Sequence, residues 1–155
     1  MALFTMAQLR ASLSPGARLL GVDPGSKLIG LALSDVSLML ATPYGALKRG
    51  KLAVNAAEVA AMVARYTVGG LLVGLPLEMD GRFGPAAQAA KDWGMALGDA
   101  TGLDVAMWDE RLSSSAVNRA MIAADVTRAK RAAAVDAAAA AYVLQAALDA
   151  TSAPV

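Results

Sequence analysis

Neither cysteine nor histidine occurs anywhere in the 155 residues. That double absence removes disulfides, thiol nucleophiles, thiolate or imidazole metal sites and every Ser–His arrangement. Any hydrolytic chemistry is left to carboxylates, Lys, Tyr or a bound metal. An excess of one charge is also missing. Fourteen basic and 13 acidic residues leave a net charge of +1, so only local clustering can mark a polyanion partner. No uncharged apolar run reaches the ~18–20 residues of a membrane helix. Thr67–Leu77 and Val36–Leu47 are short and carry Gly or Pro, and the alanine block after Asp136 is broken by Gln145 and Asp149. No membrane partner is expected. Met1–Ala17 holds one charge, Arg10, and no signal-peptide core. It reads as a loose extension, and the expected location is cytoplasmic.

What is present is apolar and helix-prone. Hydrophobic residues make up 57% of the chain, enough for one core in a single domain over residues 18–150, with 151–155 as a tail. Arg18–Val22 reads as a buried strand ending at Asp23, Leu28–Ser34 as a second, with Pro24–Ser26 as the turn. Ala46–Lys48 is a short edge strand. Leu52, Ala56, Val59, Val63 and Tyr66 recur at helical spacing. Gly70–Gly74 is a continuous apolar run, hence a buried parallel strand. After a Gly/Pro-rich loop, Pro85 opens a helix to about Thr101, with Ala86, Ala90, Trp93 and Leu97 on one face. Leu103–Trp108 is the last strand. Ser113 or Ser114 caps a helix to about Ala123, Ala124–Arg131 is basic and polar, and a final helix spans about Ala132–Asp149. The expectation is α/β: a mixed five-stranded sheet flanked by helices on both faces.

Asp23 falls at the carboxyl end of the first strand, and Asp109 and Glu110 at that of the last. Ligand sites of open α/β sheets lie off those ends. Asp136 sits among alanines early in the final helix, where a lone buried carboxylate is costly and a metal would relieve the cost.

The stretches "GVDPGSKLIGLALSD", "VGLPLEMDGRFG", "WDERLSS" and "VDAAAAAYVLQAALD" stand in an order that resembles the YqgF family, also called RuvX. Its members are RNase H-like proteins associated with Holliday junction resolution and with nuclease maturation of pre-16S ribosomal RNA. The resemblance runs from Arg18 to Asp149 and implies an RNase H-like three-layer fold. It also implies that Asp23, Glu110 and Asp136 are the catalytic acids and metal ligands, and that Lys27 is a basic position beside the first acid. The chain departs at Leu28, where many members carry Arg.

In an RNase H-like sheet the first strand neighbours Gly70–Gly74 and the last strand lies beyond it. Asp23 and Glu110 then start ~9–10 Å apart, at ~4.8 Å per strand. Glu110 has the longer side chain and sits where its strand ends, so it leans inward, while alternation turns Asp109 away to a structural role. Clustered carboxylates select hard ions such as Mg²⁺ or Mn²⁺. Arg111, Arg128, Lys130 and Arg131 lie in segments next to the acids and are candidates for phosphate contact, and Arg82 with Phe83 in the "MDGRFG" loop is a cation beside an aromatic suited to single-strand or junction contact. Ser113 and Ser114 read as caps, and Trp93 and Trp108 as core.

The reading that follows is a divalent-metal-dependent nuclease acting on structured RNA at the 5′ end of pre-16S rRNA, in contact with pre-ribosomal particles. The first alternative is a Holliday junction resolvase acting on branched DNA. A second is a non-catalytic nucleic-acid-binding ribosome-assembly factor. A third is an ATP phosphotransferase of the actin–hexokinase type, which would need a second lobe. The oligomeric expectation is a monomer or weak homodimer.

Overall fold

A computed structural model of the chain describes residues 3–110 and 128–152. In order the elements are β1 (Leu3–Phe4), α1 (Met6–Ser12), β2 (Arg18–Pro24), β3 (Leu28–Ser34), β4 (Ala41–Lys48) and α2 (Leu52–Tyr66). They continue with β5 (Val68–Leu75), α3 (Pro85–Thr101), β6 (Asp104–Asp109) and α4 (Arg128–Ala150). The strands form one sheet in the order β1-β6-β5-β2-β3-β4. β1, β6, β5 and β2 run parallel, whereas β3 and β4 are antiparallel to their neighbours.

Each face of this sheet has its own core. Leu20, Val22, Leu71, Val73 and Val105 pack with Ala56, Val59 and Met62 of α2 and Leu97 of α3. The alternate positions Leu19, Leu72 and Ala106 pack with Leu9 of α1 and Ala140, Leu144, Ala147 and Leu148 of α4. The central strand β5 is apolar throughout, and β2 is apolar between Arg18 and Asp23, because both of their faces are covered. α3 lies close to the sheet through small residues. A Cβ on Gly98 would stand 2.5 Å from Cγ2 of Val105. Its buried stripe runs through Ala87 rather than the exposed Ala86. Pro85 starts α3, and Gly102, at φ 76°, ends it, the left-handed conformation that Gly adopts at least strain. Trp93 and Trp108 pack partly buried against the two cores.

Several expectations change. The sheet has six strands rather than five, because β1 adds parallel to β6. Met1–Ala17 is not a loose extension over its described part. Thr5 caps α1, its Oγ1 accepting from Gln8 N at 3.1 Å while Gln8 Oε1 accepts from Thr5 N at 2.9 Å. Met6 and Leu9 are buried. Arg10 donates to the carbonyls of Leu148 and Leu38, each at 3.1 Å. A helix as short as α1 carries little periodicity, and its partners are spread along the chain, from Leu38 to Leu148. β4 spans eight residues rather than three. Its Pro43, Gly45 and the register shift opposite Leu31/Ala32 are loop-like signals that an edge strand tolerates.

α4 starts at Arg128 rather than Ala132. It includes an 18-residue window, Ala133–Ala150, with the mean hydropathy of a membrane span, yet Ala140, Leu144, Ala147 and Leu148 are buried against the sheet. The expected helix from Ser113 or Ser114 to Ala123 lies outside the described residues.

Candidate active site

Asp23 ends the buried part of β2, opposite Gly30 of β3, and is only 9% exposed. Glu110 follows β6 directly, its backbone N–H donating to Leu75 O at 3.1 Å. β5 stands between the two strands, so the acids must meet across it. Gly74 makes this possible. A Cβ there would overlap Oε2 of Glu110, so the Glu110 carboxyl occupies the space that any other residue would fill. It reaches Asp23, and the two carboxyl groups share a hydrogen bond. Strand alternation puts Asp23, Gly74 and Glu110 on the α4 side of the sheet and turns Asp109 away, and Asp109 is exposed.

α4 closes over this pair. Its Asp136 is partly buried, and a Cβ on Gly30 would overlap the Asp136 backbone carbonyl. Gly30, cross-strand from Asp23, is therefore what lets the helix carry its acid this close. The electrostatics follow from the crowding. Burial raises the Asp23 carboxyl above the carboxylate range, partly offset by the Glu110 hydrogen bond. Glu110 is pushed up to about 9 by burial first, then by the hydrogen bond and charge of Asp23 and the charge of Asp109. Asp136 is raised by burial and by the charge of Asp23. Asp23 interacts with both of the other acids, each of which disfavours ionisation, so a proton or a cation beside Asp23 relieves the crowding.

Among the described residues, no three acids stand close enough to form a complete metal cage. The assembled part is the Asp23–Glu110 pair, with Asp136 coupled to it by charge. Hard carboxylate oxygens on a partly buried pair that resists double ionisation fit a divalent cation of the Mg²⁺ or Mn²⁺ kind.

The basic candidates are distributed differently. Lys27 is exposed on the turn after β2. That turn and Asp136 line a cleft of about 340 Å³ formed by Gly25, Ser26, Lys27, Leu28 and Asp136. Arg82 is exposed and paired with Asp80 at 2.6 Å, so part of its charge is already engaged. Its neighbour Phe83 is exposed along a groove with Phe4, Leu75 and Met107. Arg128, Lys130 and Arg131 form the first turn of α4, on the same helix as Asp136. Arg111 lies outside the described residues. A separate concavity of about 360 Å³ between β4 and α2, lined by Tyr44, Met62 and Tyr66 among others, holds none of the three acids.

Sequence reasoning missed Gly74 and Gly30. The available signal was a glycine inside each strand, which marks close approach of another group.

Residues 17–150 match the family model described as "RuvX: Holliday junction resolvase". The chain belongs to the RuvX family. A Gluconacetobacter diazotrophicus protein named "Putative pre-16S rRNA nuclease" is 65% identical over 153 residues, covering 98% of this chain and 99% of its own. The Acidiphilium cryptum protein of the same name is 61% identical over 154 residues, covering 99% and 98%. Among solved structures, T. thermophilus RuvC in complex with Holliday junction substrate superposes with a TM-score of 0.52 at 16% identity, over 86% of this chain and 94% of that one. That likeness shows the fold, an RNase H-like sheet between helices. The RuvX match spans all three acids, from Asp23 to Asp136, together with Gly30 and Gly74.

Proposed function

We propose that this RuvX-family chain is a nuclease that hydrolyses phosphodiester bonds in structured RNA, at the 5′ end of pre-16S rRNA in the cytoplasm, with a divalent ion as cofactor. The observation that carries the reading is the meeting of Asp23 and Glu110 over Gly74, with Asp136 coupled to Asp23 by charge. Relatives covering nearly the whole chain and named for pre-16S rRNA support the substrate.

Asp23, Glu110 and Asp136 would hold the ion, which when bound supplies positive charge for the phosphate and acidifies an attacking water. The protein's own part is to keep these oxygens partly buried and preorganised, so that little rearrangement is needed in the transition state. With Glu110 raised to about 9, the Asp23–Glu110 pair would give up a proton on binding the ion. Lys27, on the rim of the cleft shared with Asp136, is assigned to a non-bridging phosphate oxygen. Arg82, Arg111, Arg128, Lys130 and Arg131 are assigned to the flanking strand.

Holliday junction resolution is the second reading, favoured by the description of the family model. Cutting two strands symmetrically would require a homodimer. The deciding experiment offers purified protein pre-16S RNA and four-way DNA junctions with Mn²⁺, with Asp23→Asn as control. RNA cleavage that disappears in the control is expected. Cleavage of junctions alone would replace the RNA reading with the resolvase one. Full biological function in an Asp23→Asn, Glu110→Gln protein would leave only a non-catalytic assembly role.

A further inference from the structure

The turn Gly25–Lys27 connects Asp23 to Lys27 and lines the cleft beside Asp136. Ser26 and Lys27 are exposed, and the turn is closed by a backbone bond from Gly25 N to Leu28 O at 2.9 Å. Further anchorage comes from a residue distant in the chain, in the connection between β4 and α2. Arg49 Nη1 donates to Gly25 O at 2.9 Å, and the Arg49 backbone N–H donates to Lys27 O at 2.9 Å. The carbonyls on both sides of Ser26 thus end on a single residue.

Arg49 is itself held from two directions. Its guanidinium lies 5.4 Å over the Trp93 ring of α3, a cation–π contact that sets the orientation of the fork. Its backbone is bracketed by Asn55 of α2, which is fully buried. Asn55 Nδ2 donates to Lys48 O at 3.1 Å, and Asn55 Oδ1 accepts from Gly50 N at 2.9 Å. A buried amide must satisfy its polar atoms, and this one does so on the two residues flanking Arg49 and, through its second N–H, on Glu58 Oε1 at 2.9 Å.

We infer that Arg49 is a positioning residue of the active site: fixed by Asn55 and Trp93, it holds the Gly25–Lys27 turn so that Lys27 meets a substrate phosphate beside Asp23 and Asp136. The inference rests on the nuclease reading for the identity of the phosphate, but not for the order of the turn. Arg49 acts through the turn, so its removal and the removal of Lys27 abolish the same contact.

The test is a double-mutant cycle in the inert Asp23→Asn protein, measuring anisotropy of a labelled pre-16S 5′-leader RNA across a salt series. Lys27→Met and Arg49→Met are each expected to weaken binding roughly tenfold, the worth of one charged hydrogen bond. Each should lower the salt slope by about 0.7, the value for one single-strand phosphate contact. The double variant should be no weaker than either single one. Additive losses, or unchanged binding in a folded Arg49→Met protein, would overturn the proposal. If Arg49→Met fails to fold, Arg49→Lys replaces it in the cycle. It keeps the charge but loses the planar fork, and the same non-additivity with Lys27→Met is required. Hydrogen exchange without any nucleic acid separates this proposal from the nuclease reading. In Arg49→Met or Arg49→Lys the Gly25 amide should exchange roughly tenfold faster or more while α2 stays protected, and an unchanged Gly25 amide sinks the proposal even if the protein cleaves RNA.

Discussion

Replacing Glu110 with Gln should flatten the pH dependence of stability in the metal-free protein. Glu110 is pushed to about 9 from an ordinary 4.5. The folded chain therefore keeps a proton that the unfolded chain has released. For an acid raised on folding, the associated stability is complete below the ordinary carboxylate range and is lost as pH climbs toward the folded value. The slope for one retained proton is about 1.4 kcal/mol per pH unit. From about pH 6 to pH 9 that is at most about 4 kcal/mol, or on the order of 10 °C in Tm for a chain of this size. In Glu110→Gln the new side chain has the same shape over Gly74 and an amide N–H for Asp23, but no proton to lose. A smaller slope from Asp23, raised in the same direction, should remain. Thermal melts in EDTA across this range measure both proteins. Parallel profiles for wild type and Glu110→Gln would refute the buried, proton-sharing pair. Added Mn²⁺ should reverse the wild-type slope, since the stabilisation it brings grows as the carboxylates deprotonate.

Asp23→Asn should cut the rate of RNA cleavage by about 10²–10⁴-fold with an unchanged circular dichroism spectrum. A residual rate near wild type would remove Asp23 from the chemistry. Gly74→Ala puts a methyl group where Oε2 of Glu110 lies. It should cost about 1–3 kcal/mol by overpacking and lower cleavage more than tenfold, read by urea titration and single-turnover kinetics. Gly30→Ala pushes on the Asp136 backbone. It should destabilise by a similar ~1–3 kcal/mol and weaken Mn²⁺ binding in a calorimeter, because α4 must back away from Asp23. Arg10→Met removes the bonds that tie α1 to Leu38 and Leu148. A loss of about 1–3 kcal/mol is expected in urea denaturation, and no loss would mean that the N-terminal segment is an appendage after all.

Strong local patterns carried most of the fold. The buried face of α2 follows from Ala56 and Val59 at helical spacing, and the apolar run Gly70–Gly74 marks the strand buried on both faces. Asp23 and Glu110 stood out because carboxylates at strand ends are where an α/β sheet binds ligands. Weak local patterns concealed the rest. β1 and α1 are short, and what holds Leu9 and Arg10 comes from β5 and from the end of α4. β4 contains Pro43 and Gly45 and reads as loop. Asn55 looks like an unremarkable polar residue on a helix until the backbone of Lys48 and Gly50 is seen around it.

By itself the sequence confined any hydrolysis to carboxylates, Lys, Tyr or a bound metal, since it offers no imidazole or thiol. Its residue order also placed Asp23 and Glu110 at strand ends and Asp136 on the closing helix. Only the tertiary structure decided that the first two touch, that they do so over Gly74, and that burial holds their carboxyl groups above the usual range. Reach and ionisation are properties of surroundings, and here the surroundings come from β5, α4 and the far end of β6, distant in the chain from Asp23.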